Sequence, residues 1–332
     1  MSKKYNVAVV GATGAVGKVM LEVLEQRNFP INKLRLLASE NSSGKKVKFG
    51  SSDVAVETLT EKSFEGIEIA LFSAGAERSK MFAPAAVKSG AVVIDNTSFY
   101  RMNPDVPLVV PEVNPQDIKK HHGIIANPNC STIGMVVALN PIHKAARIKR
   151  IVVTTFQSVS GAGATAIQEL KDQTAAWVRG EKLPPKKFAY PIAFNCIPQI
   201  DDFLDNGYTK EEIKMVNETK KIIGDPSIQV TATCVRVPVF FAHSESVMIE
   251  TEKKLSAKDV KDLLSKAPGV IVYDDPSSKK YPMPIDVSGK DETYVGRIRE
   301  DLSHPSAISL WLVSDNLRKG AATNAVQIAE HL

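Results

Sequence analysis

Cys130 lies in Asn127-Pro128-Asn129-Cys130-Ser131-Thr132, immediately ahead of an apolar run containing Ile133, Met135, Val136, Val137 and Leu139. The run is predicted to be a helix. Pro128 prevents an earlier start, and Ser131 and Thr132 suit the first turn. A thiol at a helix N-terminus feels the positive end of the peptide dipoles, which favours the thiolate, the nucleophilic form of cysteine. Most intracellular cysteines are small buried hydrophobes, and Cys234 in Thr233-Cys234-Val235-Arg236-Val237 reads as one of these. The polar turn around Cys130 sets it apart.

A thiolate that attacks a carbonyl needs a proton-handling partner, an orienting group and a grip on the substrate. Of the six histidines, His243 alone falls between two long apolar strands, so it is the candidate general base, although a satisfied structural histidine fits the local pattern equally well. Arg236 interrupts an apolar strand, and a charge there must be paired. It forms either a salt bridge across the sheet or a bidentate grip on a substrate carboxylate. Gln157 ends another strand, in Phe156-Gln157-Ser158-Val159-Ser160-Gly161, where a neutral amide could orient an acyl intermediate and Ser160-Gly161 could approach a cofactor. Arg101, after Asp95-Asn96-Thr97-Ser98-Phe99-Tyr100, could bind an anion.

The first half of the chain supplies a frame for this chemistry. Tyr5 to Val10 is an apolar β-type run, followed by Gly11-Ala12-Thr13-Gly14-Ala15-Val16-Gly17 and an amphipathic helix from about Val16 to Gln26. Strand, glycine turn and helix together form a dinucleotide-binding pattern: Gly11, Gly14 and Gly17 allow a tight turn and close approach to a pyrophosphate, which the helix N-terminus then favours. Further strands are predicted at Leu34–Ala38, Ile67–Phe72, Ala91–Asn96 and Gly123–Ala126, with a helix at Arg78–Lys88. The alternation implies a doubly wound parallel sheet with ligands at the strands' C-terminal ends, where Ser39, Asn41, Ser42 and Ser73 fall. Glu40 would favour the free 2′-hydroxyl of NAD, whereas Asn41 and the serines would favour the 2′-phosphate of NADP, so these residues leave the cofactor open.

From about Ile148 the strands lengthen: Arg150–Phe156, Ile228–Val239, Glu245–Glu252 and Ala307–Val313 predict a mostly antiparallel or mixed sheet. Helices are predicted at Ala164–Val178, Lys210–Ile222 and Ala257–Ser265, and a last one at Arg318–His331 could return to the nucleotide domain. The expected division is residues 1–127, with a C-terminal helix from about 316 to 332, and residues 128–315. The loops Gly180–Pro198 and Asp274–Glu292, rich in proline, lysine and aspartate, are expected to be mobile surface.

At 332 residues the chain is long enough for two domains, and 43% hydrophobic and 24% charged residues are ordinary for a globular protein. A net charge of +5, spread out, argues against nucleic-acid binding. Short stretches such as Lys45-Lys46-Val47-Lys48 read as solvated faces. Three distant cysteines suggest neither a metal site nor a disulfide framework, and a reducing cytoplasm fits them. Met1-Ser2-Lys3-Lys4 leads straight into the first strand, with no cleavable apolar segment, and no apolar run is long enough to span a membrane.

Taken in order, these segments resemble the aspartate-β-semialdehyde dehydrogenases of the bacterial type over essentially the whole chain. The resemblance rests on the glycine turn, Asn127-Pro128-Asn129-Cys130-Ser131-Thr132, Gln157-Ser158-Val159-Ser160-Gly161 and Glu218-Thr219-Lys220-Lys221. It also rests on Arg236-Val237-Pro238-Val239 leading to His243, and on Asp315-Asn316-Leu317-Arg318-Lys319-Gly320-Ala321-Ala322. It implies that Cys130 forms an acyl-thioester and His243 is the acid/base. Gln157 would contact substrate, Arg236 its α-carboxylate and Glu218 its amino group, while Arg101 and Lys221 bind phosphate. Thr13, Gly14, Ala15 and Val16, with Asn41, Ser42, Ser160, Gly161 and Asn316, would touch NADP.

The implied reaction is reversible NADP-dependent reduction of aspartyl phosphate to aspartate semialdehyde with release of phosphate. This is the second step of the aspartate-family pathway to lysine, threonine, methionine and diaminopimelate. The resemblance further implies a homodimer built by the second domain. Relatives often carry an arginine at the position of Asn41, so NADP preference is expected to be relaxed, with some use of NAD. The alternatives are N-acetyl-glutamyl-phosphate reductase and a non-catalytic NADP-binding regulator.

Overall fold

The structure is a computed structural model that describes residues 3–332; Met1 and Ser2 lie outside the described residues. Residues up to Asn129, with Ala321–Leu332, form one compact unit, and Cys130–Gly320 forms a second. Asn129 and Cys130, adjacent in sequence, thus belong to different units.

The first unit is a seven-stranded sheet. Its elements are β1 (Tyr5–Val10), α1 (Ala15–Gln26), β2 (Ile31–Ala38), β3 (Lys46–Phe49), β4 (Ser52–Thr58), β5 (Ile69–Phe72), α2 (Ala76–Lys88), β6 (Val92–Asp95) and β7 (Ile124–Ala126). The strand order is β3-β4-β2-β1-β5-β6-β7, parallel throughout except for β3, which pairs antiparallel with β4. From β1 the sheet runs to β2 and β4 on one side and to β5, β6 and β7 on the other, which is the topological reversal that opens a crevice at the C-terminal strand ends. The central strands are apolar on both faces because helices cover both. Val7, Val9, Leu36 and Leu71 pack with α1 and the C-terminal helix Thr323–Ala329 in one core, and Val10, Leu37, Phe72 and Val93 pack with α2 in another.

The charge run Lys45–Lys48, read from sequence as a solvated face, is part of the β3–β4 hairpin. Lys46 and Lys48 are exposed there while Val47 and Phe49 are half-buried. Lysine-rich edge strands protect a sheet margin from pairing with another chain.

The second unit carries α3 (Cys130–Ala146), β8 (Ile148–Gln157), α4 (Ala164–Val178), α5 (Lys210–Ile223), β9 (Gln229–Arg236), β10 (His243–Thr251), α6 (Ala257–Leu264), β11 (Val270–Val272), α7 (Pro284–Val287), β12 (Thr293–Glu300) and β13 (Ala307–Ser314). The sheet order is β11-β12-β13-β10-β8-β9. The pairs β8–β9 and β11–β12 are parallel and the others antiparallel, giving the mixed sheet that the long β-branched runs predict. Period-2 burial in β8 and β10 turns Ile151, Val153, Val247 and Ile249 inward and leaves Val152, Phe156 and Met248 half-buried on the other face.

Three sequence expectations need correction. The strand predicted at Ile228–Val239 ends at Arg236, two residues before Pro238, which has no N–H for a ladder. The single final helix predicted at Arg318–His331 opens with a π-helical segment, Arg318–Ala322, before Thr323–Ala329. The two long loops are anchored rather than loose. In the first, the Glu169 carboxylate accepts the backbone N–H of Lys186 and Lys187, Gln173 Oε1 accepts those of Ile192 and Ala193, and Ile192 and Ile197 are buried against α4. In the second, Trp311 Nε1 donates to Pro282 O and Gly289 N to Asp315 Oδ2. Surface-type composition hid these anchors because the partner groups lie on or beside helices and strands outside the loops.

Candidate active site

Cys130 is the first residue of α3, and its Sγ lies 3.3 Å from His243 Nε2. His243 is the first residue of β10, brought there by a turn in which Ala242 adopts φ +65°. The ring is 2% exposed, and burial, reinforced by the positive charge of Arg236, holds its pKa well below the ordinary histidine value against a backbone hydrogen bond at Ala242. The ring is therefore neutral near neutral pH. Ser158 N donates to His243 Nδ1 over 3.1 Å.

Arg236 ends β9, opposite Gln157 at the end of β8. It is buried, donates from Nη1 to Ser158 O over 2.7 Å and lies over the Phe188 ring. Burial lowers its pKa, and the negative charges of Glu211 and of Cys130 as thiolate oppose that shift. A buried guanidinium and a thiolate thus stabilise one another's charge. Gly161 explains itself here: a Cβ on it would stand 3.2 Å from Arg236 Nη1 and 3.3 Å from His243 Nε2. Gly320 is tighter, since its Cβ would meet Cys130 Cβ at 2.9 Å.

Helix α5 carries the remaining polar groups of this unit. Thr209 and Glu212 form a capping box at its start, and Gly224 in the left-handed conformation stops it. Glu212 also accepts the N–H of Cys234, tying the helix to β9. Glu211, beside it, accepts from Gln157 Nε2 at 3.3 Å and from Lys214 Nζ at 3.2 Å. A carboxylate can only accept there, so the Gln157 amide has its NH₂ toward Glu211 and Thr155 and its carbonyl directed elsewhere. Glu218 is buried and Lys221 half-buried, one helical turn apart on one face. Burial lowers the Lys221 pKa and Glu218 opposes it.

In the first unit, Gly11, at φ +88°, follows β1, and its Cβ would strike Ser73 O at 2.5 Å. A Cβ on Gly17 would strike Gly11 O at 2.2 Å. Gly14 is the N-cap of α1, with Thr13 before it and Ala15 and Val16 in the first turn. Ser39 precedes the short 3₁₀ turn Glu40–Ser42 at the end of β2, where Asn41 is exposed. These positions share the C-terminal edge of the parallel strands. Arg101 is buried in the same unit, donating to Asn127 O and Asn96 O.

Two family models match the chain: a semialdehyde dehydrogenase NAD-binding domain over residues 6–121 and a semialdehyde dehydrogenase dimerisation domain over residues 139–319. An aspartate-semialdehyde dehydrogenase of Aquifex aeolicus is 59% identical over 332 residues, covering 99% of this chain and 98% of that one. The chain belongs to the aspartate-semialdehyde dehydrogenases. It is accordingly an oxidoreductase. A crystal structure of aspartate semialdehyde dehydrogenase II from Vibrio cholerae, complexed with ASA, superposes with a TM-score of 0.97 at 55% identity, covering 100% of this chain and 98% of that one. One from Candida albicans with NADP gives 0.76 at 26% identity, covering 99% and 98%.

Within this semialdehyde dehydrogenase, the second unit groups Cys130, His243, Arg236 and Gln157 with Ser160 and Gly161. Arg101 and the glycine turn belong to the first unit. Asn316, which the resemblance assigns to cofactor, is 3% exposed, and its Oδ1 accepts from Ser158 Oγ, Ser160 Oγ and Ala242 N. Sequence reasoning missed Glu211, which looked like an ordinary acidic first-turn residue beside a capping box. It also missed Ser158, whose contribution runs partly through its backbone. The motif Asp315–Gly320 has a local cause: Asp315 accepts the N–H of Leu317 and Arg318, Arg318 pairs with Asp291 at 2.8 Å, and Gly320 leaves room for Cys130.

Proposed function

We propose that the chain catalyses reversible NADP-dependent reductive dephosphorylation of L-aspartyl 4-phosphate to L-aspartate 4-semialdehyde, the second step of the pathway to lysine, threonine, methionine and diaminopimelate. The observation that carries this reading is the Cys130–His243 contact of 3.3 Å beside a buried arginine. The Cys130 thiolate attacks the acyl carbon, phosphate leaves, and an acyl-thioester remains on sulfur. Arg236 takes the α-carboxylate through its guanidinium fork, Glu218 the ammonium, and Arg101 with Lys221 the phosphate. Gln157 orients the acyl group, and His243 handles the proton as the tetrahedral species forms and collapses; such acid–base help is commonly worth about 10²- to 10⁴-fold.

The first unit fits a dinucleotide, because Gly11 and Gly17 allow a backbone turn too tight for any Cβ, directly ahead of and within the first turn of α1, whose N-terminus favours a pyrophosphate. Gly11, Thr13, Gly14, Ala15, Val16 and Gly17 would hold the pyrophosphate, Ser39, Asn41 and Ser42 the adenosine side, and Ser73, Ser160, Gly161 and Asn316 would flank the rest. When bound, the nicotinamide exchanges a hydride with the acyl carbon. Asn41 can hydrogen-bond a 2′-phosphate but adds no charge, so some use of NAD accompanies use of NADP. The Vibrio cholerae relative with ASA and the Candida albicans relative with NADP support the substrate and the cofactor.

The half-buried apolar residues on the outer face of the second sheet, with a match described as a dimerisation domain, support a homodimer. Among the described residues no helix is long and apolar enough to cross a membrane, and no acid, cysteine or histidine cluster could hold a metal.

Steady-state rates with aspartate semialdehyde, with and without phosphate, and with NADP against NAD, test the proposal. Phosphate-dependent NADP reduction supports it. Turnover of N-acetyl-glutamate semialdehyde instead would move the chain to a sibling reaction.

A further inference from the structure

We propose that Ser158 is a positioning residue that decides which ring nitrogen of His243 carries hydrogen, with Asn316 fixing the direction of its hydroxyl. The inference rests on Cys130 and His243 being the reacting pair, not on the identity of the substrate.

Two backbone N–H groups make the assignment, because they can only donate. Ser158 N lies 3.1 Å from His243 Nδ1, so Nδ1 accepts and the neutral ring carries its hydrogen on Nε2. That hydrogen faces Cys130 Sγ, 3.3 Å away, an arrangement that suits a thiolate. Ala242 N donates to Asn316 over 3.0 Å, so the atom there is Oδ1, an acceptor. The Ser158 hydroxyl, 3.0 Å from the same oxygen, points its hydrogen at Asn316. Its lone pairs are left toward Nδ1, 3.1 Å away.

Ser158 therefore serves His243 in both states. Its amide satisfies Nδ1 when the ring is neutral, and its hydroxyl oxygen accepts Nδ1–H when the ring takes a second proton. Only the Nδ1–H form lets Nε2 give up and retake a proton without passing through an imidazolate. The charged and titratable groups around the ring are Cys130 from α3, Arg236 from β9 and Glu245 on its own strand. Arg236 opposes the imidazolium and a backbone hydrogen bond at Ala242 favours it; the hydroxyl oxygen adds a second acceptor on the Nδ1 side.

Nitrogen-15 NMR of histidine-labelled, substrate-free protein, with the signal assigned by its loss in His243→Asn, reads the tautomer directly. The expected result near neutral pH is a protonated Nε2 and an unprotonated Nδ1; a protonated Nδ1 at rest overturns the proposal. Ser158→Ala keeps the amide and removes the hydroxyl. It is expected to retain the resting tautomer and the alkylation rate of Cys130 while kcat falls about 10²-fold, with recovery in Ser158→Thr. Unchanged kcat in a folded Ser158→Ala enzyme would refute it. Should Ser158→Ala fail to fold, the wild-type spectrum still decides. Spectrum and alkylation need no substrate, so absence of turnover with aspartate semialdehyde would fail the functional reading while leaving this one testable.

Discussion

Cys130 and Cys234 are two thiols of one unit, each close enough to act electrostatically on Arg236, in opposite surroundings. Cys130 starts a helix, is partly accessible, and faces an imidazole ring and a guanidinium. Cys234 is fully buried in mid-strand, packed against Met215, with Glu211, Glu212 and Glu245 around it. Burial first, and these carboxylates second, push its thiol up, against a hydrogen bond from Thr155. Reactivity is thus assigned by dipole, counter-charge and access rather than by residue type. The strand register puts Glu245 on the same sheet face, and burial raises its pKa well above the usual carboxylate range.

The largest expected effect comes from removing the reactive thiol. Cys130→Ala is expected to abolish phosphate-dependent NADP reduction in a steady-state assay while leaving NADP binding, read by fluorescence titration, largely intact. Next comes Gly320→Ala, whose methyl would meet Cys130 Cβ at 2.9 Å. Forced overpacking costs about 1–3 kcal/mol, and displacing sulfur from His243 should lower kcat by at least about tenfold. Cys234→Ala should do the reverse, lowering stability by about 1–3 kcal/mol in urea melts while kcat stays close to wild type. Alkylation of the folded protein, followed by mass spectrometry, should label Cys130 and the exposed Cys196 and spare Cys234 until denaturant is added. Rapid labelling of Cys234 in the folded state would erase the contrast.

The smallest effect is on pH dependence. Glu245 has its pKa raised in the folded state, so the folded chain holds a proton that the unfolded chain releases. Its contribution to stability is fully present below the unfolded value near 4.5 and is lost as pH rises toward the folded value, at up to about 1.4 kcal/mol per pH unit. His243 has the opposite sign: its lowered pKa gives stability that is present above about 6.5 and lost as pH falls below that value. Glu245→Gln should therefore gain stability over wild type at neutral pH, with the difference shrinking toward pH 4.5. Denaturant melts at several pH values check this, and parallel curves would show that Glu245 is ionised.

The sequence made some of this visible and hid the rest for physical reasons. Gly11 and Gly17 announce themselves because only glycine tolerates those positions, and Pro128 followed by Cys130 marks a helix start. Thr209 and Gly224 bound the helix of Glu218 and Lys221 by capping chemistry alone. The β3–β4 hairpin was illegible because its alternating lysines look like an unstructured charged stretch. The anchoring of the 180–198 loop depends on Glu169 and Gln173 of a preceding helix, a long-range pairing that no local window contains. The His243 tautomer depends on a backbone amide, and side-chain patterns carry no signal for that.

The measurement that bears most directly on the central claim is mass analysis of the enzyme mixed with aspartate semialdehyde and NADP without phosphate, quenched rapidly and digested. An aspartyl adduct on the peptide containing Cys130, absent in Cys130→Ala and discharged when phosphate is added, is the predicted result. Turnover by Cys130→Ala, or an adduct confined to another residue, would contradict it.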